Sequence, residues 1–160
     1  MGDIPGDGKF RLDWLPAVAN IYSPTTTELN SGLRVSQWMT ADGAVGFRPE
    51  TADVPTSGIE DTFDTSTNGR RSFSGTLLRI KKQTGSDAAY LTLIPDTEGF
   101  VVVRRSLPAA TAYASGQHLQ GVYPVIVAET AWLDAEPNTV ERYEVPLKMR
   151  VQPALRVTVA

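Results

Sequence analysis

Apolar and polar positions alternate from the start of the ordered pattern: Phe10, Leu12 and Trp14 against Lys9, Arg11 and Asp13. That two-residue period predicts a half-buried strand, ended by Leu15-Pro16. Ser23 then reads as the cap of a helical turn, with Pro24 at its first position and Glu28 in the first turns. Asn30-Ser31-Gly32 stops it. Leu33, Val35 and Gln37 alternate with Arg34, Ser36 and Trp38, a second strand candidate, and Asp42-Gly43 predicts a turn.

From Phe47 to Asn68 the pattern fades into a polar, Thr-rich stretch. Two readings compete. One is a disordered loop, although loops beyond about 12–15 residues are uncommon in compact domains. The other is a long hairpin running out over Arg48–Val54, turning at Pro55-Thr-Ser-Gly58 and returning over Glu60–Thr65. Turn chemistry in the middle of the stretch favours the hairpin.

Periodicity returns after Asn68-Gly69, a dipeptide that signals a turn. Ser72–Gln83 reads as a strand through Phe73, Leu78 and Ile80. Gly85-Ser86-Asp87 caps a short helix with apolar positions from Ala88 to Ile94, stopped by Pro95. Glu98-Gly99-Phe100 opens a strand whose consecutive valines, Val101 to Val103, predict burial on both faces. Tyr113 to Gly116 is a loop, and His118–Trp132 is a strand or strand pair. Asp134–Asn138 is a turn. Val140–Val151 and Leu155–Val159 supply the last strands.

Composition limits what such a chain can do. At 160 residues with a 41% apolar fraction it suits a single domain: a leader over 1–8, then one domain over 9–160. A net charge of −3 gives no basic field to hold nucleic acid by counterion release. The absence of cysteine removes disulfides, thiolate nucleophiles and thiolate metal sites. No apolar run approaches the roughly 20 residues of a membrane span. The first eight residues do not read as a signal peptide, so synthesis and assembly in a cytoplasm are expected.

Candidate chemistry is sparse. His118, the single histidine, could be a general base, but it reads better as a strand-edge residue. Glu60-Asp61 with Asp64 could suggest a cation site, but lacks the spacing of a calcium loop and reads as solvated charge. Gly6-Asp-Gly-Lys9 lacks the spacing of a phosphate loop. Trp14, Trp38 and Trp132 could form the platform of a carbohydrate- or protein-binding β-module, though Trp is more often core. No catalytic residue, cofactor or metal is expected.

Charge order is more informative. Between Asp42 and Asp64 the acids Asp42, Glu50, Asp53, Glu60, Asp61 and Asp64 face Arg48 alone. Between Thr65 and Thr84 stand Arg70, Arg71, Arg79, Lys81 and Lys82 with no acid. Adjacent blocks of opposite sign are usually a solvated face. They can also be the two halves of a self-association contact, whose candidates are Glu50, Asp53, Glu60, Asp61 and Asp64 on one side and Arg70, Arg71, Lys81 and Lys82 on the other. A Thr-rich hairpin with little apolar surface is marginal alone, and a ring of such hairpins has no open edge.

Trp14-Leu-Pro-Ala-Val-Ala-Asn20, Glu28-Leu-Asn-Ser-Gly32, Thr40-Ala-Asp-Gly43, Gly99-Phe-Val-Val-Val-Arg104 and Val122-Tyr-Pro-Val125 occur in an order that resembles the major tail (tail tube) proteins of long-tailed actinobacteriophages. The resemblance implies a mainly β, sandwich- or barrel-like tube fold with one short flanking helix and a long extended hairpin. It implies hexameric rings stacked into a tail tube, with hairpins lining a lumen that conducts the genome. A tape-measure protein would fill the lumen, tip and terminator proteins would close the ends, and DNA would pass without specific contact. No added C-terminal immunoglobulin-like domain is expected. Another tube or injection-machine component, such as a tail terminator or a secretion-system tube protein, is the neighbouring possibility.

Overall fold

The computed structural model describes residues 1–160. The first strand, β1 (Arg11–Leu15), is buried at every position rather than on one face. Leu12 and Trp14 point into one core, while Arg11 reaches across to the carbonyls of Ala109 and Thr111, so the polar face is covered by a loop. Helix α1 (Thr26–Asn30) follows, capped by Thr25 and not by Ser23. Thr25 and Glu28 form a capping box, the Thr25 side chain accepting from the Glu28 amide and the Glu28 carboxylate from the Thr25 amide.

The second strand is only β2 (Leu33–Arg34); a 3-10 turn over Ser36–Trp38 replaces the expected alternation. The chain bends there because Val35, fully buried, donates its amide to Leu12 and drops into the core. β3 (Met39–Val45) continues through Asp42-Gly43, where a turn was expected, but with an irregular register between Met39 and Ala44.

Residues 47–74 form an arm. β4 (Glu50–Pro55) and β5 (Ser66–Ser72) are an antiparallel pair. The hairpin reading holds, but the returning strand starts at Ser66 rather than Glu60, and the tip occupies 56–65. Asn68-Gly69, expected as a turn, lies inside β5. The expected Ser72–Gln83 strand is divided: β5 ends at Ser72 in the arm, and β6 (Leu77–Lys81) belongs to the main sheet.

Helix α2 (Ala88–Thr92) is capped by Asp87, giving two short helices where the resemblance implies one. β7 (Glu98–Arg104), β8 (His118–Val127), β9 (Ala131–Trp132), β10 (Arg142–Met149) and β11 (Ala154–Thr158) complete the chain. The main sheet runs β2-β1-β7-β8-β10-β6-β3, with β11 on the first half of β8 and β9 on the first half of β10. It curls into a half-barrel.

β7 is buried on both sides, which explains the valine run. Val101 and Val103 join a core with Leu12, Trp14, Tyr123 and Tyr143, closed by Val35, Ala89 and Leu93. Val102 faces the other way, into a smaller core with Leu15, Leu29, Tyr113 and Val157. Each fully buried valine contributes about 1.5–3 kcal/mol, so this strand anchors both layers.

Candidate assembly surface

The arm is an insertion. β3 and β6 are neighbours in the main sheet, Val45 pairing with Leu77, and the whole β4–β5 pair emerges between them. It pairs with no other strand. Every residue of β4 is exposed, and in β5 only Gly69 is partly covered. The pair is held by its own ladder and by a polar clasp at the tip. There Thr56 and Thr65 hydroxyls meet at 2.7 Å, and the Thr65 amide donates to Ser57 Oγ at 2.7 Å. Ile59 and Phe63 project from the tip into solvent.

The arm sorts the charges by strand. Glu50 and Asp53 stand on β4; Arg70 and Arg71 stand on β5. Glu60, Asp61 and Asp64 lie on the tip. Asp61 folds the tip, accepting from the Gly58 amide at 2.6 Å. Arg70 and Arg71 make no ion pair within the chain.

The rest of the basic block lies in the main sheet. Lys82 is engaged internally: it pairs with Asp87 at 3.3 Å and lies over the Tyr90 ring at 4.8 Å. Arg79 is clamped between Asp42 and Glu144 at 3.0 and 2.9 Å. Its guanidinium and the Thr40 hydroxyl hold the exposed Asp42 carboxyl below its ordinary value, the Thr40 bond first. Lys81 stands opposite Arg142 across β6 and β10. The structure thus brings Glu50, Asp53, Arg70 and Arg71 together and leaves Lys81 and Lys82 apart from them.

Nothing assembles around the other candidates. His118 is exposed at the start of β8, its Nδ1 3.3 Å from Thr158 Oγ1. No group of three His, Asp or Glu side chains comes together. Trp14 is only 3% exposed, and Trp38 packs against the same core. Only Trp132 stands out, tilted against Tyr90 and Tyr143 at 5.8 and 5.5 Å. A three-tryptophan platform therefore does not exist. The groove beside Trp132, lined by Tyr90, Ile94 and Pro95, holds about 190 Å³, below the roughly 300–1,000 Å³ of small-molecule pockets. No helix is long and apolar enough to cross a membrane.

Sequence reasoning missed the root of the arm. Phe47 and Phe73, at its entry and exit, both meet the Tyr123 ring edge-on. Two phenylalanines flanking a polar Thr-rich stretch were the available signal.

The sequence profile of the family described as phage tail tube protein matches residues 1–160. The chain belongs to that family. As a phage tail tube protein it is a structural component of the virion tail that self-associates into a tube. Among solved structures it is similar to a chain in the cryo-EM structure of the anti-feeding prophage baseplate, 6-fold symmetrised, at 10% identity and a TM-score of 0.56, covering 98% of each chain. At that identity the likeness is one of fold. No curated protein matches the sequence.

Proposed function

We propose that this tail tube protein polymerises as six-membered rings that stack into the tail tube of a long-tailed phage of an actinobacterial host. The carrying observation is the arm: a two-stranded sheet, exposed throughout, with both outer edges unpaired. A hairpin of that kind is marginal on its own, and open edges invite pairing with another chain. Arms placed side by side around a ring would satisfy every edge and enclose a lumen. The six-fold symmetry named for the baseplate neighbour supports the ring number.

In this reading residues 9–160 form one tube domain behind a leader over 1–8. The tape-measure protein would occupy the lumen until ejection, with tip and terminator proteins at the ends. DNA would pass without base-specific contact, as the net charge of −3 favours. Assembly would take place in the host cytoplasm. A second reading, a ring in a baseplate or another injection machine, draws on the same neighbour.

Electron microscopy of the purified protein, alone and co-expressed with the tape-measure protein, tests the proposal. Stacked rings with six-fold averages are expected. A strict monomer under both conditions overturns it, and isolated rings that never stack favour the second reading.

A further inference from the structure

We infer that the charges on the two edges of the arm select head-to-tail closure and reject face-to-face dimers; this rests on the ring reading above. β4 carries Glu50 and Asp53 with no base, and β5 carries Arg70 and Arg71 with no acid. These strands are the two free edges of one sheet.

Two modes of edge pairing are open to identical arms. In a two-fold dimer, β4 meets β4 or β5 meets β5, placing carboxylate against carboxylate or guanidinium against guanidinium. Like charges on adjoining strands oppose pairing. In head-to-tail association the β5 edge of one copy meets the β4 edge of the next, antiparallel as within the arm. Every acidic strand then lies between two basic ones. An interface of this kind propagates into a ring or a helix instead of stopping at two.

The match holds on both faces of the arm. The register pairs Thr51 with Arg71 and Asp53 with Asn68, so Asp53 and Arg71 share one face. Glu50 pairs with Ser72, on the opposite face, and the register shift between Thr51 and Asp53 sets Gly69 and Arg70 together against Ala52, which shares that face with Glu50. Each face therefore offers one acid on the β4 side and one base on the β5 side. The rule does not depend on which face turns to the lumen. Arg70 and Arg71, free of ion pairs within the chain, are available for it.

Two charge-reversed chains test this. Arg70→Glu/Arg71→Glu makes both edges acidic; Glu50→Lys/Asp53→Lys makes both basic. Each should remain a folded monomer by circular dichroism and lose tube yield at least tenfold in sedimentation and negative stain. Mixed in equal amounts they should regain most of it, because acidic and basic arms can alternate around an even-numbered ring. Mixing cannot repair a defect inside one chain's own arm, so recovery isolates the contact between copies. The neutral variant Arg70→Gln/Arg71→Gln should lose less than the reversed one. Wild-type yield from either reversed chain alone, or a mixture no better than its parts, overturns the edge rule and leaves the ring reading standing. A wild-type chain that forms no tube overturns the ring reading itself, and the rule with it.

Discussion

Phe47 stands edge-on to Tyr123, their ring centroids 5.1 Å apart. Phe73 meets the same ring at 5.8 Å. The Tyr123 side chain is fully buried on β8, and its hydroxyl accepts from Gln120 Nε2 at 3.1 Å. One rigid core residue thus fixes where the arm leaves the body and where it returns. Truncating Phe47, which is 8% exposed, to Ala removes a nearly buried ring and should cost about 3 kcal/mol. Phe73, partly buried, should cost less. Both variants should also lower tube yield at temperatures where the monomer stays folded, because the arm is no longer aimed. Urea melts beside negative-stain counts read the two effects; yield that follows stability alone would show that the root does not orient the arm.

Asp87 caps α2 by accepting from the Tyr90 amide at 3.1 Å, and it also accepts from the Gln83 amide and Lys82. Burial penalises its charge, but these donors outweigh the penalty, and its carboxyl lies below the ordinary value. A depressed folded value means the contribution is complete above the unfolded value of about 3.9 and fades as pH falls through the folded one. Asp87→Ala should cost about 1–2 kcal/mol at pH 7. The gap between variant and wild type in urea midpoint should narrow at pH 3; an unchanged gap would mean the carboxylate's charge does not matter there.

Asp13 is fully buried and accepts from Arg11 Nε and Nη2 at 3.0 Å each. The Arg11 and Arg104 guanidiniums both lie over the Tyr113 ring, at 4.6 and 4.9 Å from its centroid. With Arg11 bound to the Ala109 and Thr111 carbonyls and Arg104 to the Pro108 carbonyl, this cluster fastens the 105–117 segment onto the sheet. Asp13→Ala leaves Arg11 buried without its counter-charge and should cost about 3–5 kcal/mol. The Tyr113 hydroxyl, pushed toward its neutral form by burial, has no hydrogen-bond partner. Tyr113→Phe should therefore be neutral or slightly stabilising. Thermal melts of both variants check the contrast, and an equal loss from each would point to the hydroxyl as a working member of the cluster.

What could be read from the sequence divides by physical cause. Burial on both faces of β7 was legible because three valines in a row have no other economical fate in a sheet. The Asp87 cap and the Pro95 stop were legible because helix ends carry local chemistry. The two Asx-Gly dipeptides misled. Gly43 and Gly69 are glycines because a neighbouring strand comes close, not because the chain reverses. A Cβ on Gly43 would meet the Arg79 carbonyl at 2.6 Å, and one on Gly69 the Ala52 carbonyl at 2.9 Å. The strand register shifts at both places, the mark of a β-bulge. Local sequence cannot separate that use of glycine from a turn. The arm's existence was visible in its turn residues, but its extent was not, since Thr and Ser carry no inside–outside period. Its charges were legible as blocks. That Arg79 and Lys82 are engaged within the body follows from Glu144 and Asp87, whose proximity only the fold creates.

Excising the arm separates folding from assembly. Residues 49–72 supply no member of either core cluster. The β3–β6 pair below them is already closed by Val45 opposite Leu77 and by Thr76 Oγ1 donating to the Gly46 carbonyl at 2.8 Å. Replacing 49–72 with an Asn-Gly turn joins two strands that are neighbours anyway, through a connection suited to a hairpin. Each halving of a loop lowers its closure cost by about 0.6 kcal/mol, so the stability of the remaining body should hold level or rise slightly. Tube formation should disappear, leaving a monomer by sedimentation at concentrations where the whole chain polymerises. Tubes from the excised chain would move the ring contact to another surface. An unfolded product would make the arm part of the folding unit, although its only packing on the body, at Phe47 and Phe73, lies at the root.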